Sequence, residues 1–192
     1  YSQKAFTYDP EYTWNYELGI KTSWFDDRLL LNAALYYIDM QDKQVFDRDL
    51  SVPINGAQNI TNAAKAHSFG GEIDLHARPV QGLDIFAGIG VTEAKFDEWI
   101  ATESDGSLYD YEGKYLTYYP KLNANLGIQY SHPSGLFGRI DYFYTGEIYC
   151  DNKNLIKQDP YGIVNLRLGY LGESFELTVW GQNLFDEEYF TY

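Results

Sequence analysis

The stretch LNANLGIQY, Leu122–Tyr130, alternates strictly between apolar side chains and polar or small ones. Successive side chains of an extended strand point to opposite faces, so a period of two predicts a strand with one apolar and one polar face. LDIFAGIGV (Leu83–Val91) and IVNLRLGY (Ile163–Tyr170) show the same alternation. We expect the apolar members to share one continuous outer face: Leu122, Leu126, Ile128, Ile85, Ile89, Val164, Leu166 and Leu168. We expect the polar members to share the inner face: Asn123, Asn125, Asn165, Arg167 and Asp84.

Over the whole chain this period predicts an all-β protein of eight antiparallel strands. The strands cover roughly 11–25, 29–42, 60–79, 83–97, 118–131, 136–150, 161–171 and 175–184. The connections alternate between short ones (about 26–28, 80–82, 132–135 and 172–174) and long ones (about 43–59, 98–117 and 151–160). An up-and-down meander of this kind places short turns at one end and long loops at the other, as transmembrane β-barrels do.

A soluble antiparallel barrel or sandwich with one wet face would show the same alternation. The aromatic residues favour the membrane. One set lies by the short turns, namely Trp24, Phe25, Phe137 and Phe175. The other set lies toward the long loops, namely Tyr36, Tyr37, Tyr142, Tyr144 and Tyr149. Two rows of amphipathic rings that bracket an aliphatic band are typical of a membrane barrel.

The composition excludes several classes of protein. A net charge of -14 argues against nucleic acid as a partner, because phosphates require a basic surface. A single cysteine, Cys150, excludes an intrachain disulfide framework and a four-cysteine metal site. No run approaches the roughly 18 apolar residues of a transmembrane helix. Tyr1 is not a natural start, so we expect the N-terminus to have been cut.

Several segments together resemble the C-terminal barrel region of TonB-dependent outer-membrane receptors, in particular the siderophore-receptor branch. These segments are NYELGIKTSWFDDRLLLNAALYYID (Asn15–Asp39), SFGGEIDLHARPVQGLDIFAGIGVTEAKF (Ser68–Phe96), YTGEIYCDNKN (Tyr144–Asn154), YGIVNLRLGY (Tyr161–Tyr170) and WGQNLFDEEYF (Trp180–Phe190). Each motif is weak alone, but together they occur along essentially the whole chain in the family's order.

The resemblance implies a 22-stranded barrel closed by an N-terminal plug. The eight strands would be about the fourteenth to the twenty-first of such a barrel, an expectation taken from the family. We therefore expect residues 1–192 to be a C-terminal portion of the barrel that lacks the plug, the TonB-binding segment and the final strand.

The resemblance also implies the function of the intact protein. It would be a receptor in the outer membrane of a Gram-negative bacterium that takes up ferric siderophores with TonB-derived energy. Its expected partners are the ferric siderophore, TonB through the missing N-terminal region, and outer-membrane lipid or lipopolysaccharide. The alternatives are a passive porin-like or adhesion barrel, and a soluble antiparallel β-barrel binding protein.

No motif indicates catalysis or a cofactor, so we do not expect an enzyme. His76 follows Glu72 and Asp74 on one strand face, but side chains spaced along a strand do not converge on a metal. The acidic segment Asp39–Asp49 lacks the spacing of an EF-hand and is expected to be a solvated loop. Inner-face charges are expected to pair across neighbouring strands: Glu17, Lys21, Glu72, Asp74, Arg139, Asp141, Arg167 and Glu176.

The long loop 98–117 is the predicted site of ligand contact. Loops held by a rigid scaffold commonly carry binding residues, and aromatic rings suit aryl-rich ferric chelates. The predicted contact residues are Trp99, Tyr109, Tyr111 and Tyr115.

Overall fold

The computed structural model describes residues 8–48, 58–103 and 105–190, and for 46–48, 58–61 and 63 it describes the backbone alone. Within these ranges the secondary structure is β-strand, and no helix is long and apolar enough to cross a membrane. The strands are β1 (Tyr12–Trp24), β2 (Leu29–Arg48), β3 (Gln58–Ala77), β4 (Leu83–Glu98), β5 (Ile100–Thr102), β6 (Leu108–Asp110), β7 (Leu122–Ser131), β8 (Leu136–Thr145), β9 (Ile148–Tyr149), β10 (Lys157–Gln158), β11 (Tyr161–Leu171) and β12 (Glu176–Gly181).

Eight of these strands form one sheet in the order β1-β2-β3-β4-β7-β8-β11-β12. Every neighbouring pair is antiparallel, so the predicted meander of eight strands is confirmed. The remaining four strands form two hairpins, β5 with β6 and β9 with β10. Both hairpins lie within or beside segments that we expected to be open loops.

The boundaries differ from the prediction mainly at the long-loop end. β2 continues to Arg48 and β3 begins at Gln58, so much of the predicted loop 43–59 extends the β2–β3 ladder. The expectation that Asp39–Asp49 is a loop is therefore wrong for its described part, since polar side chains do not prevent strand pairing above an apolar band. β8 ends at Thr145, five residues before the predicted end, because the chain turns away to pair β9 with β10.

Two glycines fix the geometry of the short turns. Gly82 has a φ of 80° and Gly135 a φ of 92°, in the left-handed region that disfavours residues with a Cβ. A Cβ on Gly82 would lie 2.3 Å from the carbonyl oxygen of Ser131, and one on Gly135 would lie 2.3 Å from that of Leu171. Each turn therefore has room for glycine alone, because the next strand packs directly against its backbone.

The register confirms that the two predicted sets of side chains lie on opposite faces. Ile85 pairs with Ile128, Ile128 with Ile140, and Ile140 with Leu166, which gives one continuous apolar row across four strands. Asp84 on the other face pairs with Gln129. We call these the apolar face and the polar face.

The chemistry of both faces reverses toward the long-loop end. On the apolar face, the aliphatic rows give way to a row of Asp39, His67 and Lys95. On the polar face, β3 carries three consecutive inward residues that are small and buried, namely Ser68, Ala66 and Ala64. The charged row marks the limit of the aliphatic band. The buried patch of small residues on the polar face indicates that another segment of the same protein packs over it.

The polar-face charges pair differently from the prediction. Arg139 donates hydrogen bonds from Nε and Nη2 to Asp141, two residues along the same strand, at 2.8 Å. Arg139 lies opposite Arg167 of β11 in the register. The prediction of cross-strand ion pairs is therefore wrong for Arg139, because strand alternation already places Asp141 beside it on the same face.

Substitution of Leu126 by arginine tests the assignment of faces. In the intact protein in lipid we expect Leu126→Arg to reduce the free energy of unfolding by roughly 2–4 kcal/mol, the cost of a cation near the bilayer midplane. The neighbouring Asn125→Arg, on the polar face, is the matched control and should leave stability nearly unchanged. The measurement is denaturant unfolding in lipid vesicles. An equal loss in both variants would contradict the assignment.

Candidate functional site at the long-loop end

The loop after β4 folds back over the polar face and covers the apolar patch there. Trp99 and Tyr111 are 3% and 7% exposed, and their rings stack at 4.0 Å between centroids. Phe96 packs against Trp99 at 4.7 Å. The cluster also contains buried residues from β2, β3, β4 and the loop, namely Val45, Ala64, Ala66, Ala94, Ala101 and Leu116. The loop is thus a hairpin that packs on the polar face of the sheet and shares a core with it.

The structure divides the four predicted contact residues into two pairs. Trp99 and Tyr111 lie in the hairpin core, where they stabilise the loop. Tyr109 and Tyr115 are half-buried, and each lies under a lysine ammonium group, with Lys153 Nζ at 4.6 Å from the Tyr109 ring centroid and Lys121 Nζ at 4.1 Å from that of Tyr115. Aromaticity alone could not separate the pairs, because the burial of Trp99 depends on residues of β2 and β3.

The core is polar at one edge. The Tyr111 hydroxyl donates to Glu103 at 2.7 Å, and Lys153 forms an ion pair with the same carboxylate at 2.8 Å. The hydrogen bond from Lys153 and then that from Tyr111 lower the pKa of Glu103. Burial, followed by the hydrogen bond to Glu103, raises the pKa of Tyr111, which therefore stays protonated. Trp99 Nε1 is buried without a hydrogen-bond partner among the described residues.

A second loop, residues 150–156 between β9 and β10, packs against this hairpin, and we call this contact between the two loops the clasp. Asn154 Oδ1 accepts from the backbone N–H of Tyr115 at 2.7 Å, and Asn154 Nδ2 donates to the Tyr115 carbonyl at 3.0 Å. The side-chain amide thus pairs with the Tyr115 backbone as a neighbouring strand would. Lys153 and Asn154 together connect the two loops.

Glu147 organises the charges at the base of the clasp. Its carboxylate forms ion pairs with Lys157 at 2.7 Å and Lys121 at 3.0 Å. The hydrogen bonds from Lys157 and then from Lys121 lower the pKa of Glu147 to about 2. Lys121 also lies over the stacked rings of Tyr115 and Tyr149. Ionised Glu147 thereby fixes the positions of Lys157 and Lys121, and Lys121 in turn contacts the rings of Tyr115 and Tyr149.

A pocket of about 420 Å³ opens between the two loops and β2. We call it the mouth pocket. Its lining combines aromatic, amide and charged side chains, namely Lys43, Gln44, Val45, Phe96, Leu116, Thr117, Tyr118, Tyr119, Cys150, Asp151 and Asn152. A cavity with apolar walls and a few polar groups at its rim is the usual form of a small-molecule site.

None of the four predicted contact residues is in this lining, and Tyr118 and Tyr119 are the tyrosines of the pocket that the sequence analysis missed. These residues are 53% and 48% exposed, and the Tyr119 ring is available to a ligand. Tyr118 has a φ of 68°, which is rare for a bulky residue, and its N–H donates to the Tyr149 carbonyl at 2.9 Å. Strained backbone of this kind clusters at functional sites. The aromatic pair directly before Pro120 is the signal that could have found them.

Histidines and acidic residues do not gather into a metal site in the part of the chain that the structure describes. His76 Nε2 lies 2.9 Å from Asp84 Oδ1, and His67 Nδ1 lies 2.6 Å from Asp97 Oδ1. These contacts are histidine–carboxylate pairs on opposite faces of the sheet.

A family model for the TonB-dependent receptor-like β-barrel matches residues 1–184. The chain belongs to the TonB-dependent receptor family. This family forms β-barrels in the outer membrane of Gram-negative bacteria, which confirms the predicted fold class and location. Membership removes the alternative of a soluble barrel.

Known members of the family are similar along most of this chain. The pesticin receptor of Yersinia pestis is 28% identical over 182 residues, which cover 93% of this chain and 25% of that protein. The ferric-pyoverdine M114 receptor PbuA of Pseudomonas sp. (strain M114) is 27% identical over 190 residues, 92% of this chain and 21% of that protein. The crystal structure of the ferric yersiniabactin uptake receptor FyuA from Yersinia pestis has a TM-score of 0.73 at 25% identity, over 93% of this chain and 26% of that one. The chain thus spans about a quarter of the length of these relatives.

Truncation of Trp99 tests whether this shared core holds the hairpin on the sheet. We expect Trp99→Ala to cost about 3–5 kcal/mol of local stability, because it leaves a cavity beside Phe96 and Tyr111. Trp99→Phe keeps most of the ring packing and loses only an unpaired N–H, so it should be close to wild type. Amide hydrogen exchange across 98–117 in the intact receptor measures the effect. Fast exchange in both variants, or in neither, would refute the proposed core.

The lowered pKa of Glu147 predicts that the contact between the two loops weakens at low pH. A carboxylate with a lowered pKa stabilises the folded loop above its ordinary pKa near 4.5 and loses that effect as the pH falls toward about 2. A spin label at Leu155→Cys, in a Cys150→Ser background, should gain mobility over this range. In Glu147→Gln the label should be mobile already at pH 7 and show little further change. A label equally immobile in both proteins would exclude this role for Glu147.

Proposed function

We propose that the receptor containing this chain takes up ferric siderophores across the outer membrane with energy supplied through TonB. Family membership supports receptor-mediated uptake in general. The ferric siderophore as cargo rests on the relatives, two of which are named for ferric pyoverdine and ferric yersiniabactin. The observation in the chain itself that carries the proposal is the mouth pocket, with two exposed tyrosines held by clasped loops.

The mouth pocket suits a bulky chelate better than a bare ion. Its volume of about 420 Å³ is in the range of small-molecule sites, and tyrosine rings can stack on the flat groups of a chelator. The loops that form it would bind the ligand without covalent chemistry. Trp99 and Tyr111 would act by holding the loop, and Tyr109 and Tyr115 by their contacts with Lys153 and Lys121.

Uptake of radiolabelled iron by iron-starved cells tests this function. The probes are three ferric chelates of distinct chemistry: an anionic tricatecholate, an uncharged trihydroxamate and an α-hydroxycarboxylate chelate. We expect at least one to enter only when the receptor is present, and to stop entering when TonB is deleted or the proton gradient is collapsed. Entry that survives TonB deletion would favour the passive porin-like alternative.

Substitution of Tyr119 tests the mouth pocket as the binding site. We expect Tyr119→Ala to weaken binding of the accepted chelate roughly 2- to 10-fold, since an aromatic contact contributes about 0.5–1.5 kcal/mol. Tyr12→Ala removes a comparably exposed tyrosine near the loop end of β1 on the apolar face and is the matched control. The measurement is chelate affinity for the purified receptor by isothermal calorimetry. A larger effect from Tyr12 than from Tyr119 would place the site elsewhere.

A further inference from the structure

β2 changes the face of its side chains shortly after Met40. Met40 pairs with Ala66, Lys43 with Ala64 and Gln44 with Asn62, so the register shifts by one residue before Lys43 and back by one residue after it. A residue inserted into one strand of a pair is a β-bulge, and it turns the side chain that follows it toward the other face of the sheet. Asp42 within the bulge has a φ of 54°, a conformation that aspartate tolerates better than most residues.

The bulge brings Lys43 onto the polar face. In an unbroken strand Lys43 would lie on the face opposite to Met40 and point away from the barrel interior. Its partner Ala64 is instead part of the hairpin core, and so is Val45, two residues further along. Asn62 fixes this arrangement, because its Nδ2 donates to the Asp42 carbonyl at 2.8 Å.

Lys43 lines the mouth pocket with Tyr118 and Tyr119 and has no described carboxylate within ion-pair distance. The other lysines around the mouth differ, since Lys121 and Lys157 share Glu147.

Among the described residues of the pocket lining, the acidic one is Asp151, and its carboxylate already accepts backbone hydrogen bonds. Asp151 Oδ1 accepts from the N–H groups of Leu155 at 2.8 Å and Ile156 at 2.6 Å, and Oδ2 accepts from that of Lys153 at 3.1 Å. Its charge is therefore turned toward its own loop. In a chain of net charge -14, Lys43 is thus a pocket-lining lysine without a carboxylate partner among the residues that the structure describes.

We propose that Lys43 is the anion-recognition residue of the mouth pocket and selects ferric chelates with anionic aryl oxygens, such as a tricatecholate. This inference deepens the proposed function and rests on it. The Lys43 ammonium group would donate to a catecholate oxygen while the Tyr119 ring contacts the aryl ring. An uncharged chelate would gain no such hydrogen bond.

Charge substitution in the intact receptor tests the proposal. We expect Lys43→Gln to weaken binding of the ferric tricatecholate about 10- to 100-fold, the effect of losing a hydrogen bond to a charged group. Lys43→Arg keeps the charge and should bind nearly as well as wild type. Lys65→Gln is the matched control, since Lys65 lies one residue from Ala64 and Ala66 on the other face, paired with Glu98 at 2.8 Å. Purified receptor in detergent is titrated with the tricatecholate and the uncharged trihydroxamate at low and high salt.

The outcomes separate this proposal from the one on which it rests. Selective loss of tricatecholate binding in Lys43→Gln, with a weaker salt dependence than wild type, supports it. Equal binding in wild type and Lys43→Gln overturns it, as does a receptor that takes only the uncharged chelate, and both leave ferric-chelate uptake intact. A wild-type receptor that takes up none of the three chelates contradicts the proposed function itself.

Discussion

Backbone pairing within one continuous antiparallel sheet is the constraint on which the other features depend. In a lipid bilayer each N–H and C=O group must bond to a neighbouring strand, because no water is present to replace that partner. Ladder pairing from β1 to β12 meets this requirement for the inner six strands. It also fixes the alternation of side chains, so a single choice of register decides what faces lipid and what faces the interior. The edge strands β1 and β12 are paired on one side among the described strands, and a barrel wall requires a partner on the other.

The reversal of chemistry toward the long-loop end follows from the same alternation. Within the bilayer the outward side chains are aliphatic and the inward ones polar, whereas above it the outward row becomes Asp39, His67 and Lys95. There the inward row is small and apolar because the hairpin built around Trp99 packs on it. The sheet therefore serves as a lipid-facing wall below and as a platform for folded loops above. This arrangement holds the mouth pocket on strands instead of leaving it on loops alone.

The pocket is assembled by polar contacts between segments that are far apart in sequence. Asn154 pairs with the Tyr115 backbone, Glu147 joins Lys121 to Lys157, and a bulge in β2 contributes Lys43. None of these contacts lies in the membrane-spanning part of the sheet. The family's barrel can thus keep one wall architecture while the mouth varies with the ligand.

The sequence alone determined the eight strands, their order and their faces. Alternation is a local pattern, so it is visible within a single strand, such as the one around Leu126. The sequence also determined the family, since the motifs recur in order along the chain. Only the tertiary structure decided which aromatic residues are buried: Trp99 and Tyr111 are core, whereas Tyr118 and Tyr119 are open to solvent. It alone placed Lys43 in the pocket, because a bulge is defined by pairing between two strands and leaves no periodic trace in either. Burial and bulges depend on residues distant in sequence, and a pattern read along one strand does not contain them.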